Sequence, residues 1–188
     1  MSNPLTQLVP KPAAASVNGG LSPLHQRTVL EIFGAPRSVT PRWPDLSEDG
    51  PVTNVKLATK IVTESVGPFR VTGHKRAVRA LREGLAEVKQ KHPNLYAALG
   101  SAGMLCCRMV RGSTKNWSNH AFGFAIDFTI SGVLDVRGDD KVQAGLLALY
   151  GVLKKHGFFW GTEFGIEDGM HFEAADETVR AWQKAGEL

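Results

Sequence analysis

From Phe124 to Ile130 the side chains alternate in character, and that alternation fixes both a strand and the way it faces. Phe124, Ile126 and Phe128 fall on one side, with Ala125, Asp127 and Thr129 on the other. The bulky side predicts packing against a core. The small side leaves space over Asp127, a carboxylate that needs a partner or a cation to offset its desolvation. His120 stands seven residues earlier, in Ser118-Asn119-His120-Ala121-Phe122-Gly123. An odd separation cannot put both groups on one face of a regular strand, so the chain must bend between them to bring them to one centre. Gly123 supplies that freedom.

A second segment, Glu167-Asp168-Gly169-Met170-His171-Phe172-Glu173, carries another histidine among carboxylates. Together His120, Asp127 and His171 offer two neutral nitrogens and one anionic oxygen, a set that suits Zn2+ with a coordination position left open for water. Asp168, three residues before His171, is placed to take a proton from that water. Glu173, two residues after His171 and so on the same strand face, is placed to orient it. A lone histidine is usually an ordinary core or surface residue, which is the reading kept for His25, His74 and His92.

These two segments resemble the zinc D-alanyl-D-alanine carboxypeptidase family, which includes the L-alanyl-D-glutamate endopeptidases of phage endolysins and shares its fold with hedgehog signalling domains. The family pattern Ser-x-His-x-x-Gly-x-Ala-x-Asp is met at Ser118, His120, Gly123, Ala125 and Asp127, and an acidic-x-x-His pattern at Asp168 and His171. The resemblance is good over roughly half the chain and extends loosely from about Val71 to the C-terminus. It implies an α+β, hedgehog/DD-peptidase-like fold, with a small, mainly antiparallel sheet flanked by helices. It also implies zinc on His120, Asp127 and His171, Asp168 as general base, and Arg108 stabilising the polarised carbonyl oxygen, with Arg111 as a competitor for that last role. Many carboxypeptidase and dipeptidase members place Glu at the base position; Asp168 is more similar to the endolysin branch, with Glu167 the adjacent but less well spaced alternative. The implied substrate is a peptidoglycan stem peptide. The activities to separate are endopeptidase, D-alanyl-D-alanine carboxypeptidase or dipeptidase, and, in another class, a cell-wall-binding module without turnover. Trp160-Gly161 lines the cleft in relatives, although Trp160 and Trp117 serve equally as core aromatics.

The rest of the chain is read from its periodicities. Residues 1–20 read as a flexible arm and 21–188 as a single peptidase domain, a division that suits a length of 188 residues with 43% hydrophobic content. Ser22 and Pro23 resemble a helix start, with Gly34 and Pro36 as stop signals. The prolines at 36, 41 and 44 predict an irregular connection over residues 35–50. Asn54 to Thr72 has weak strand character. Val78, Leu81, Leu85 and Val88 recur as a helix stripe with Lys75, Arg76, Arg79, Arg82 and Lys89 largely off it. Gly103 to Val110 reads as a buried strand. Asp139 and Asp140 are expected to open a helix whose stripe is Val142, Leu146, Leu149 and Leu153. Phe158 to Trp160 and Met170 to Ala174 read as short strands, and Asp176 as the cap of a closing helix that presents Val179 and Trp182.

A net charge of +4 gives mild attraction to anionic surfaces without the dense basic tracts of a nucleic-acid binder. The basic face of the Lys75–Lys91 stretch is read as solvated, so no nucleic-acid partner is expected. Cys106 and Cys107 are adjacent and read as buried thiols, which suits a reducing cytoplasm. The N-terminal stretch lacks a basic n-region, and prolines at 4, 10 and 12 interrupt it, so no signal peptide is expected. The longest nearly apolar run, Gly145 to Leu153, falls far short of the roughly 20 residues of a membrane span. The composite expectation is a monomer made in the cytoplasm that reaches the wall after release by another factor.

Overall fold

The computed structural model describes residues 3–188. In chain order the regular elements are β1 (Leu8–Pro10), α1 (Gln26–Phe33), α2 (Val55–Ala58), β2 (Ile61–Ser65), β3 (Arg70–His74), α3 (Lys75–Lys91), α4 (Pro93–Ala98), β4 (Leu99–Gly103), β5 (Ala125–Ile130), β6 (Lys141–Gln143), α5 (Ala144–Leu153), β7 (Phe158–Trp160), β8 (His171–Ala174) and α6 (Asp176–Lys184). The architecture is α+β. Four strands form an antiparallel sheet in the order β4-β5-β8-β7, and two further antiparallel pairs, β2-β3 and β1-β6, stand beside it.

The alternation over Phe124–Ile130 builds the centre of this sheet. Phe124, Ile126 and Phe128 are fully buried. Phe128 packs edge-on against Phe172 of β8 at 5.3 Å between ring centres. The α3 stripe of Val78, Leu81, Leu85 and Val88 is likewise buried, while Arg79 pairs with Glu83 on the outer face. The Gly84 backbone admits the side chains of Leu153 and His156, the point where α3 and α5 meet. Val179 and Trp182 of α6 join the same hydrophobic cluster.

Several expectations change. The helix expected from Ser22-Pro23 begins later, at Gln26 with His25 as its N-cap, because Ser22 and His25 are engaged by the last helix: their amides bond Glu177 and Asp176. Asp176 does not cap α6, whose N-cap is Ala175; its carboxylate accepts from the His25 amide, the Thr28 hydroxyl and Arg180. The buried strand expected at Gly103–Val110 ends where it was to start. β4 is Leu99–Gly103, and the chain beyond it is held by the connector: the Cys107 amide bonds Asp49 at 2.6 Å and the Met109 amide bonds the Leu46 carbonyl at 2.8 Å. Asp139 and Asp140 do not open a helix; residues 141–143 form β6 and α5 starts at Ala144.

Of the arm expected at residues 1–20, Met1 and Ser2 lie outside the described residues. The remainder is docked, with β1 pairing β6 and Asn18 buried against Trp160. Cys107 is buried and Cys106 partly so; both are free thiols, and burial pushes the Cys107 thiol up to about 12. Among the described residues, no helix is long and apolar enough to cross a membrane.

Candidate metal centre

Strand register brings the two sequence segments together. Asp127 on β5 stands opposite His171 on β8, and Ala125 opposite Glu173, so all four side chains share one face. His120 arrives from a 3-10 turn, Asn119–Phe122, that ends at Gly123. Gly123 has φ +71°, and a Cβ there would lie 2.4 Å from the backbone nitrogen of His74. Only glycine serves where the chain turns left-handed against the end of β3. The bend demanded by the seven-residue spacing is therefore made at that residue.

Three donor atoms converge. His120 Nε2 lies 3.3 Å from His171 Nδ1 and 3.3 Å from Asp127 Oδ1, and His171 Nδ1 lies 3.1 Å from Asp127 Oδ1. Ligands about 2.0 Å from a tetrahedral zinc stand about 3.3 Å from one another, so the triangle has the edge length of one tetrahedral face. The remaining ring nitrogens are held from behind, His120 Nδ1 by the Met104 carbonyl at 3.1 Å and His171 Nε2 by Glu173 Oε2 at 2.9 Å. Those bonds turn Nε2 of His120 and Nδ1 of His171 towards the shared centre. At 9% and 8% exposure the two imidazoles are close to buried, leaving Asp127 as the more open member.

The electrostatics of the metal-free cluster follow from this crowding. Burial opposes charge on His171, but the carboxylates of Asp127 and Glu173 overcome it and raise the imidazole to about 10. Burial also opposes charge on Asp127, yet the two histidines hold its carboxyl well below the usual range. His74, by contrast, is a core residue: burial and the charges of Lys60 and Lys75 push it down to about 3, and it stacks on Phe124 at 4.6 Å.

Asp168 is mostly buried. Its Oδ2 lies 3.2 Å from Arg137 Nε, and its Oδ1 is buried without a partner. Burial raises its carboxyl, and Asp127 and Glu167 add to the rise while His171 and Arg137 oppose it. Its loop is pinned by Trp160, whose indole N–H donates to the Gly169 carbonyl at 2.6 Å. Trp160 is fully buried between Tyr150 and Phe172, so it packs as a core aromatic.

Residues 111–174 match the D-alanyl-D-alanine carboxypeptidase family model. The matched segment holds the three donors and Asp168, and it supports a hydrolase of the peptidase class. No curated protein matches the chain.

Arg108 is only indirectly connected to the cluster. Its carbonyl accepts the Ser118 amide at 3.2 Å, two residues before His120, while its Nη1 donates to the neighbouring Met109 carbonyl at 2.9 Å. Arg111 is exposed. Sequence reasoning missed Arg137, which lies in a loop without any motif, and the Met104 carbonyl, a backbone group without a side-chain signal. It also missed Asn119, whose amide ties the Leu24 carbonyl to Glu173.

Proposed function

We propose that the protein is a zinc-dependent peptidoglycan peptidase that cleaves stem-peptide bonds, with L-alanyl-D-glutamate endopeptidase as its specific activity. The observation that carries this reading is the triangle of His120 Nε2, Asp127 Oδ1 and His171 Nδ1, with edges of 3.1–3.3 Å, beside an Asp168 oxygen that has no protein partner. Two imidazole nitrogens and one carboxylate oxygen at those separations fit zinc. Zinc supplies a Lewis acid that polarises a carbonyl and acidifies water near neutral pH.

Asp168 accepts the proton of the attacking water on Oδ1 and returns it to the leaving amine; its raised carboxyl moves it towards the range in which one group does both. Arg137, on Oδ2, fixes the carboxylate without occupying the working oxygen. Arg108 is assigned to the carbonyl oxygen, where an always-charged guanidinium helps most as negative charge develops.

The endopeptidase assignment draws on Asp at the base position; the family model that matches residues 111–174 is described as a D-alanyl-D-alanine carboxypeptidase and does not separate the two activities. Metal analysis of the purified chain, paired with digestion of peptidoglycan and mass spectrometry of the products, separates them. New L-alanine and D-glutamate termini are expected. Release of terminal D-alanine alone establishes the carboxypeptidase. Zinc-loaded protein that binds the wall and leaves it intact across pH is a binding module.

A further inference from the structure

Asp135 and Glu167 form a second acidic pair that the metal centre does not use. Asp135 sits in the loop between β5 and β6 and is 5% exposed; Glu167, the residue before Asp168, is 2% exposed. They approach one spot: a Cβ placed on Gly169 would lie 2.2 Å from Asp135 Oδ2 and 3.2 Å from Glu167 Oε1. Glu167 is fixed by two amides, with Oε1 accepting from Gly169 at 2.8 Å and Oε2 from Gly138 at 3.0 Å. Asp135 is not: both of its oxygens are buried without a hydrogen-bond partner.

The neighbouring cations are committed elsewhere, Arg137 to Asp168 and Lys11 to Asp140. Among the described residues, no basic side chain forms an ion pair with Asp135 or Glu167. Burying two carboxylates side by side is unfavourable unless a proton or a cation separates them. Burial, with the charges of Glu167 and Asp139, pushes the Asp135 carboxyl up to about 6; the nearby Val136 and Gln143 amides oppose the rise but are not placed to complete a hydrogen bond to either oxygen.

We infer that Asp135 and Glu167 hold a hard divalent cation of the calcium class, at a site separate from the His-Asp-His centre. The donors are all oxygens, which select calcium or magnesium over zinc, and calcium tolerates the irregular geometry of two loops better than magnesium does. A cation there would tie the 131–140 loop to the 167–170 loop, which leads into β8 and carries Asp168. The consequence is a calcium-stabilised mooring for the base and for His171. This holds whether or not the peptidase reading above is correct.

The test uses the full zinc-loaded chain, titrated with calcium chloride and, separately, magnesium chloride while the Tm is followed. Calcium at a hundredfold excess over its dissociation constant should raise the Tm by about 5 °C or more. The Asp135→Asn variant should lose that shift while being at least as stable as the parent without calcium, since it removes a buried charge. Terbium luminescence gives a second measurement on the unaltered protein. Trp160, bonded to the Gly169 carbonyl, is positioned to sensitise a terbium ion held by the pair, and calcium should quench the signal by competition. Absence of both the Tm shift and the sensitised signal, or an equal calcium shift in Asp135→Asn, overturns the proposal. A variant more stable than a calcium-indifferent parent would identify a proton-sharing pair instead.

Discussion

Glu173 accepts the Nε2 proton of His171 at 2.9 Å, and this bond decides which nitrogen of the imidazole faces the shared centre. The carboxylate is itself immobilised, taking the Leu24 amide at 2.7 Å and the Asn119 side-chain amide at 2.9 Å, and it is 1% exposed. Replacing it by glutamine removes the charge that supports His171 and sets an amide donor either against the Leu24 amide on the Oε1 side or against Asn119 and His171 on the Oε2 side. The Glu173→Gln variant should bind zinc about 10 to 100-fold more weakly. Competition with a chromophoric chelator measures this; unchanged affinity in a folded variant would remove Glu173 from the metal-supporting role.

Asp168 and the donor triangle should separate cleanly in mutants. Asp168→Asn leaves all three donor atoms in place, so zinc content should stay near one equivalent while kcat/KM falls about 10² to 10⁴-fold, the usual contribution of a positioned proton-transfer group. His120→Ala and His171→Ala should instead lose the metal. Wild-type turnover in Asp168→Asn would refute its assignment as the base.

Gly123 joins the two halves of the first motif. Gly123→Ala forces a side chain into a left-handed position and into 2.4 Å contact with the His74 nitrogen. The backbone strain alone costs about 1–3 kcal/mol, and the contact adds to it. Thermal denaturation of the metal-free variant should show a lowered Tm, and zinc affinity should fall with it because the turn that delivers His120 is displaced. A variant as stable as the parent would mean that the turn relaxes and the contact is not required.

What was legible in the sequence was local. The alternation around Asp127 and the three-and-four spacing of Val78, Leu81, Leu85 and Val88 report a face and a period, which any packed environment preserves. Elements whose state is set by a distant partner were misplaced. Lys141–Gln143 is a strand because Leu8–Pro10 lies against it, more than 130 residues away in sequence. Residues 104–110 leave the sheet because Leu46 and Asp49 take their amides. The same division runs through the site. The donors and Asp168 carry a spacing that can be read, whereas Arg137 and the Met104 carbonyl act on them from loops whose positions only the folded chain defines.

Zinc and protons should compete at this centre, and the sign follows from the shifts. In the metal-free protein His171 is raised from 6.5 to about 10, so its contribution to stability is fully present below about pH 6.5 and is lost as pH rises through 10. Asp127 is lowered, so its contribution is present above its ordinary value of 3.8 and is lost in acid. The protonated cluster is thus at its strongest between those ordinary values. Zinc needs neutral His171 and must displace its proton. At pH 7.5 close to one proton should leave His171 for each zinc bound, which calorimetry in two buffers of different ionisation enthalpy measures. The Tm increase given by zinc should accordingly grow from pH 6 to pH 9, while the metal-free protein loses the His171 contribution over the upper part of the same range. Zinc binding without proton release at pH 7.5 would mean that His171 is already neutral, and that Asp127 and Glu173 do not hold its charge.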